Sequence, residues 1–212
     1  MADAVSICNL ALSYLGDTAT VASIDPPEQS TQAQMCAIYY PIARNALLEM
    51  HDWSFATYRV QVAKRSEDDT AGWKGVFQMP AGYVRVIKVQ DRGWVEGLHF
   101  PISNPFDRWD KSPDGVPFTV AGGKLYTNAE KPIVTYVSSQ VTEGAFSPLF
   151  VTALGYYLAM EMAGARVKGK EGQALAQNLQ KAFQTALSLA KTKDAQQQSK
   201  RLDFLPEWLQ VR

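Results

Sequence analysis

Few residues in this 212-residue chain have the types and spacing that chemistry requires. The two histidines, His51 and His99, lie far apart and in different elements, so neither forms the paired motif of a metal site. No Gly-x-Ser-x-Gly elbow occurs. Gly122-Gly123-Lys124 matches the end of a phosphate-binding loop. However, the first glycine of that motif would fall on Phe118, and Leu125 stands where a Ser or Thr must hold magnesium. The pair of glycines reads instead as a hairpin turn. Glu67-Asp68-Asp69 lacks the alternating ligands of a calcium loop and reads as a solvated loop. Cys8 and Cys36 are too few for a disulfide framework or zinc cluster, and read as small buried apolar residues on separate helices. The expectation is a chain with no catalytic residues, no metal and no cofactor.

The aromatic residues carry more information. Trp53, Phe55, Trp73, Phe77 and Tyr83 fall where a helical pattern gives way to an alternating one, and they are expected to bury the joint between bundle and sheet. Before this joint, Val5, Cys8, Leu12 and Leu15 predict a helix from Asp3 to Leu15, with Gly16 ending it. Met35, Ile38, Ile42, Ala46 and Met50 predict the apolar stripe of a second helix from Glu28 to Met50, kinked or broken at Pro41. Beyond it, Tyr58, Val60 and Val62 form the inner face of a predicted strand. Val76–Met79, Tyr83–Gln90, a weaker Trp94–Phe100, the 118–120 and 124–126 hairpin and Ile133–Ser138 complete an expected β meander. Residues 101–117 carry four prolines and read as an exposed loop. Ser147-Pro148 starts a third helix to Val167, apolar almost all round and so central. A fourth runs from Glu171 to Lys193 with Leu175, Leu179, Ala182, Phe183 and Ala186 as its stripe. The predicted class is α+β, a helical bundle of N- and C-terminal helices with an inserted antiparallel β lobe. Its parts are 1–55, N-terminal helices; 56–140, β lobe; 141–194, C-terminal helices; and 195–212, a C-terminal arm.

Composition bounds the function. Lys plus Arg equal Asp plus Glu at 21 each, and a neutral chain lacks the excess charge of a free-standing DNA binder. The 46% hydrophobic and 20% charged shares fit a folded chain. Between Ser147 and Arg201, eight basic residues against three acidic ones give +5, leaving −5 elsewhere. That asymmetry reads as a solvated helical face or as complementary charge between subunits. The N-terminal residues show no basic patch before an apolar run, so a signal peptide is not expected, and neither is a membrane span.

The text around the joint resembles a known family. Asn9-Leu10-Ala11-Leu12 through Leu15-Gly16, then Ala33, Tyr40, Arg44 and Leu47-Leu48, lead into His51-Asp52-Trp53-Ser54-Phe55-Ala56. Gly72-Trp73, Phe77-Gln78-Met79-Pro80-Ala81 and Val84-Arg85-Val86-Ile87 follow. These residues resemble the tail tubular protein A family, the head-to-tail adaptors of short-tailed phages. The resemblance covers about the first 90 residues well and the remainder in layout only. It departs from the pattern at Ser54, where Asn is common, and at Gly82, where Asp is common.

The resemblance implies a structural virion protein, assembled in the host cytoplasm. Its partners would be further copies in a dodecameric ring, the portal protein, the tail nozzle protein and tail fibres. Genomic DNA would pass through the lumen without specific binding, and no membrane would be involved. Within that frame the arm residues Lys200, Arg201, Leu202, Phe204, Leu205, Trp208 and Leu209 are expected to dock on the portal or a neighbour. Phe106, Arg108, Trp109 and Lys111 are expected in a tail-facing loop, and Trp53, Phe55, Trp73 and Phe77 in the structural joint. A cytoplasmic ligand-binding module using the β lobe, or an enzyme without a recognisable motif, are the alternatives.

Overall fold

Among the described residues, four α-helices and six strands are built around two cores. In the computed structural model, residues 2–18, 20–65, 72–91, 115–167 and 169–197 are described. The class is α+β, a helical bundle with an inserted antiparallel β lobe. The predicted strand at 94–100, most of the 101–117 loop and the whole 198–212 segment lie outside the described residues.

Helix α1 (Ala4–Tyr14) begins at Asp3, whose carboxylate accepts from the Ser6 N–H while Ser6 Oγ accepts from the Asp3 N–H. This reciprocal cap satisfies two donors that a helix start leaves open. Ile7, Cys8, Ala11 and Leu12 form its buried face. Asn9 reaches across to the following loop and pairs its amide with both backbone groups of Val21, at 2.9 and 2.7 Å.

Helix α2 (Thr31–Glu49) corrects the expectation in three ways. It starts at Thr31 rather than Glu28, because Ser30 caps it by accepting from the Ala33 N–H. It runs unbroken past Pro41, which sits on its exposed side. Its buried face is Ala33, Cys36, Tyr40, Ala43, Leu47 and Leu48; of the predicted stripe, Met35 packs partly buried against the core and Ala46 is half-buried, whereas Ile38, Ile42 and Met50 lie outside, with Ile38 and Ile42 62% and 61% exposed. The two stripes share the helical period. Alanine and cysteine won the inner one because they let α2 approach its neighbours closely.

Helix α3 (Pro148–Arg166) is the central element, as expected, and packs against α1, α2 and α4 (Gly169–Gln197). Ser147 caps it by accepting from the Phe150 N–H. Leu154, Leu158 and Met162 are fully buried on it. The turn into α4 is tight. A Cβ on Gly172 would come 1.9 Å from the Val167 carbonyl oxygen. Gly172→Ala is therefore expected to destabilise the chain by about 2–3 kcal/mol, measured by denaturant unfolding.

The β lobe is two sheets rather than one meander. Strands β1 (Thr57–Gln61), β6 (Pro132–Ser138) and β3 (Tyr83–Asp91) form the first, in that order. Strands β2 (Gly75–Gln78), β5 (Lys124–Thr127) and β4 (Phe118–Ala121) form the second. The β4–β5 turn is the predicted hairpin, with Gly122 and Gly123 both at positive φ. Residues from both sheets, among them Val62, Phe77, Val89, Leu125, Val134 and Tyr136, meet in the second core. The central strand β6 serves both cores, since Val137 faces the bundle while Val134 and Tyr136 face the lobe. Strand β1 is an edge. Tyr58 and Val60, expected to point inward, are exposed, and only Val62 just beyond the strand is buried.

Candidate functional site

The joint between bundle and lobe is held by buried aromatic rings and by polar ties. Its centre is Trp53, fully buried, with its indole N–H donating to the Leu47 carbonyl at 2.9 Å. Phe150 of α3 meets the indole edge-on at 4.9 Å, and His51 does so at 4.8 Å. Phe55 is half-buried and packs against Phe146 and Phe150. Aromatic rings in such edge contacts add to the burial they provide.

The predicted aromatic cluster does not form as one body. Phe77 and Tyr83 belong to the lobe core, and Trp73 is half-buried before β2, in neither core of the described residues. The first sheet stands between the two groups. Sequence proximity near a helix-to-strand change does not reveal which side of a sheet each ring will take.

Three polar ties surround the aromatic centre. In the first, Asp194 near the end of α4 is only 6% exposed. It accepts from the Ser54 N–H at 3.1 Å to each oxygen and from the Ser54 hydroxyl at 2.6 Å. His51 Nε2 lies 3.4 Å from the same carboxylate. Serine, histidine and aspartate are thus together, but both others face the aspartate. The hydroxyl points to the carboxylate and not to the imidazole, which a nucleophilic serine would need as its base. The arrangement pins α4 to the start of the lobe.

In the second tie, Arg44 of α2 donates to the Val141 carbonyl, lies 3.5 Å from Glu143 Oε1 and covers the Phe146 ring at 5.7 Å. Tyr40, one turn earlier, donates to Glu143 Oε1 at 3.1 Å. Burial first, and then the Glu143 carboxylate, hold the Tyr40 phenol well above its ordinary pKa, so it remains a donor. In the third, Asp52 pairs with Arg85 of β3. One short stretch, 40–54, therefore grips the chain after β6, strand β3 and helix α4.

The residues that carry the family resemblance mostly lie in this joint or in the core beneath it. Ala33, Leu47, Leu48, Trp53 and Ala56 are buried, and Tyr40, Arg44 and Asp52 make two of the ties, while the other is made by Ser54, where the chain departs from the family pattern. Cys8 and Cys36 are buried on α1 and α2, and their mutual hydrogen bond, with burial, keeps the Cys8 thiol far above its usual pKa. The arm residues Lys200 to Leu209 and the loop residues Phe106, Arg108, Trp109 and Lys111 lie outside the described residues. Helix α4 reaches Gln197, three residues past the expected end of the C-terminal helices at 194.

Asp194 and Glu143 were not singled out from sequence. For Asp194 a signal existed: Leu179, Phe183, Ala186 and Ala190 step along one helical stripe, and the next position is Asp194. A charge on an apolar stripe calls for a buried partner. Glu143 lies in a short turn and offers no such pattern.

Among the described residues no three of His, Cys, Asp and Glu gather as metal ligands, and no helix is long and apolar enough to cross a membrane. Compared with known proteins, the chain matches no family model and no curated protein.

Proposed function

We propose that the chain is the subunit of a head-to-tail connector ring in a short-tailed phage, a structural virion protein and not an enzyme. It would join the portal to the tail nozzle and form part of the channel through which DNA leaves. The observation that carries this reading is the joint. Several residues that grip the β lobe from the bundle side, Tyr40, Arg44, Asp52 and Trp53, belong to the tail tubular protein A pattern. A ring subunit needs that property. Each copy must present the same lobe in the same orientation, or the platform for the nozzle and fibres is uneven. A bundle that packs side by side and a lobe held by three ties meet the requirement. The balanced charge of 21 against 21 suits a channel that DNA passes without gripping.

In this reading the arm, with Leu202, Phe204, Leu205, Trp208 and Leu209, docks on the portal or an adjacent subunit, where Phe204 and Trp208 fill pockets. Lys200 and Arg201 meet acidic groups at its rim. The 101–117 loop faces the tail. The test is a pull-down and particle image with the portal and tail proteins of the same phage. The full chain is expected to bind portal and form rings. A chain ended at Ser199 is expected to keep its melting temperature and lose ring formation on the portal. Deleting Asn104–Asp114 is expected to spare portal binding and block attachment of later tail proteins. A full chain that binds no portal, or shows turnover of a small molecule, would overturn the reading.

A further inference from the structure

Helix α2 is apolar on two sides. The inner side is packed in the bundle. The outer side carries Ile38 and Ile42, one turn apart and each more than 60% exposed, with Met50 at its end. Two isoleucines so exposed at adjacent turns form a stripe, not a scattered surface residue. Helix α4 also presents a large aliphatic residue outward. Leu189 is 53% exposed, on the flank of the buried stripe of Phe183, Ala186 and Ala190.

The two outer sides differ in charge. Beside Ile38 and Ile42 the exposed charged residue on α2 is the acidic Glu49, since Arg44 is turned inward to Val141 and Glu143. One turn beyond Leu189 on α4 stands exposed Lys193, and the helix's Asp194 is buried against Ser54. One face is therefore apolar with an acid, the other apolar with a base. Each is a poor match for itself and a good match for the other.

We propose that the outer side of α2 in one copy of this chain docks on the outer side of α4 in the next. Leu189 packs between Ile38 and Ile42. With the two helices parallel and Leu189 so placed, Lys193 is about 6 Å further along and Glu49 about 13–14 Å, a difference of about 7–8 Å along the axis that the lysine and glutamate side chains span by reaching toward each other. The contact uses different surfaces on its two partners, so it leaves one free face of each kind at the ends of any chain of subunits. Only a contact of this type closes into a ring of more than two copies about a single axis. The inference rests on the ring reading for its biological sense, but it is a contact between copies and is tested without the portal.

The experiment is sedimentation velocity of the full-length chain from micromolar to millimolar concentration. The native chain is expected to associate beyond the dimer. Ile38→Asp/Ile42→Asp and Leu189→Asp are each expected to be folded monomers or at least tenfold weaker in association. Mixed in equal amounts they are expected to form a one-to-one dimer, because each supplies the face the other lacks. Glu49→Lys is expected to weaken association several-fold, and mixing with Lys193→Glu to restore it. A native chain that stays monomeric throughout, a mixture that gives no dimer, or association that survives either apolar variant unchanged would overturn the contact. Loss of portal binding with association intact would count against the connector reading alone.

Discussion

Trp53→Ala is expected to be among the most damaging single changes in this protein, lowering stability by about 3–5 kcal/mol. The indole is fully buried, touches Phe150, Phe55 and His51, and donates to Leu47. Alanine would leave a cavity walled by elements that cannot collapse independently, because α2, α3 and the lobe are tied together around it. In a chain of this size the change corresponds to a fall of about 6–20 °C in melting temperature, read by calorimetry. Trp53→Phe keeps most of the ring and loses the donor, so it is expected to cost closer to 1–2 kcal/mol. Phe55→Ala is expected to cost less than Trp53→Ala, about 2–3 kcal/mol, because that ring is only partly buried. A Trp53→Ala chain as stable as the native one would refute the packing account.

Asp194→Ala is expected to cost about 3 kcal/mol, a large effect for a polar residue. The carboxylate receives the backbone and side-chain donors of Ser54, and hydrogen bonds to a charged group contribute about 1.5–3 kcal/mol each. Removing it strands those donors in a partly buried region. Asp194→Asn retains acceptor capacity on one oxygen and should lose about half as much. Urea unfolding of both variants, with amide exchange at Ser54, checks the claim. Exchange at Ser54 should accelerate in Asp194→Ala while amides in α1 keep their protection. Ser54→Ala combined with Asp194→Ala should be far less costly than the two changes added, since they remove the same contact. Strict additivity would show that the tie is not an energetic unit.

The α+β class, the four helices and most strands were legible in the sequence, because each leaves a local mark. Asp3, Ser147 and Pro148 mark helix starts through groups only a few residues away. Gly122-Gly123 marks a turn through the conformations glycine permits. The central role of α3 was legible too, since a helix apolar almost all round has no side to give to water.

Tertiary structure decided what local pattern leaves degenerate. Helix α2 has two apolar stripes at the same period, and periodicity cannot rank them. The choice fell to Ala33, Cys36 and Ala43, whose small size matters only once α1 and α3 stand opposite. Tyr58 and Val60 alternate as inner residues do, yet alternation fixes only that they share a side, not that anything covers it. The meander became two sheets because strand pairing is settled by partners distant in sequence, as β1 with β6 and β2 with β5. Asp194 meets Ser54 across 140 positions of chain. Its carboxylate marks the limit of sequence reading: the helical register shows that a charge points inward, and only the folded chain supplies the donors that satisfy it.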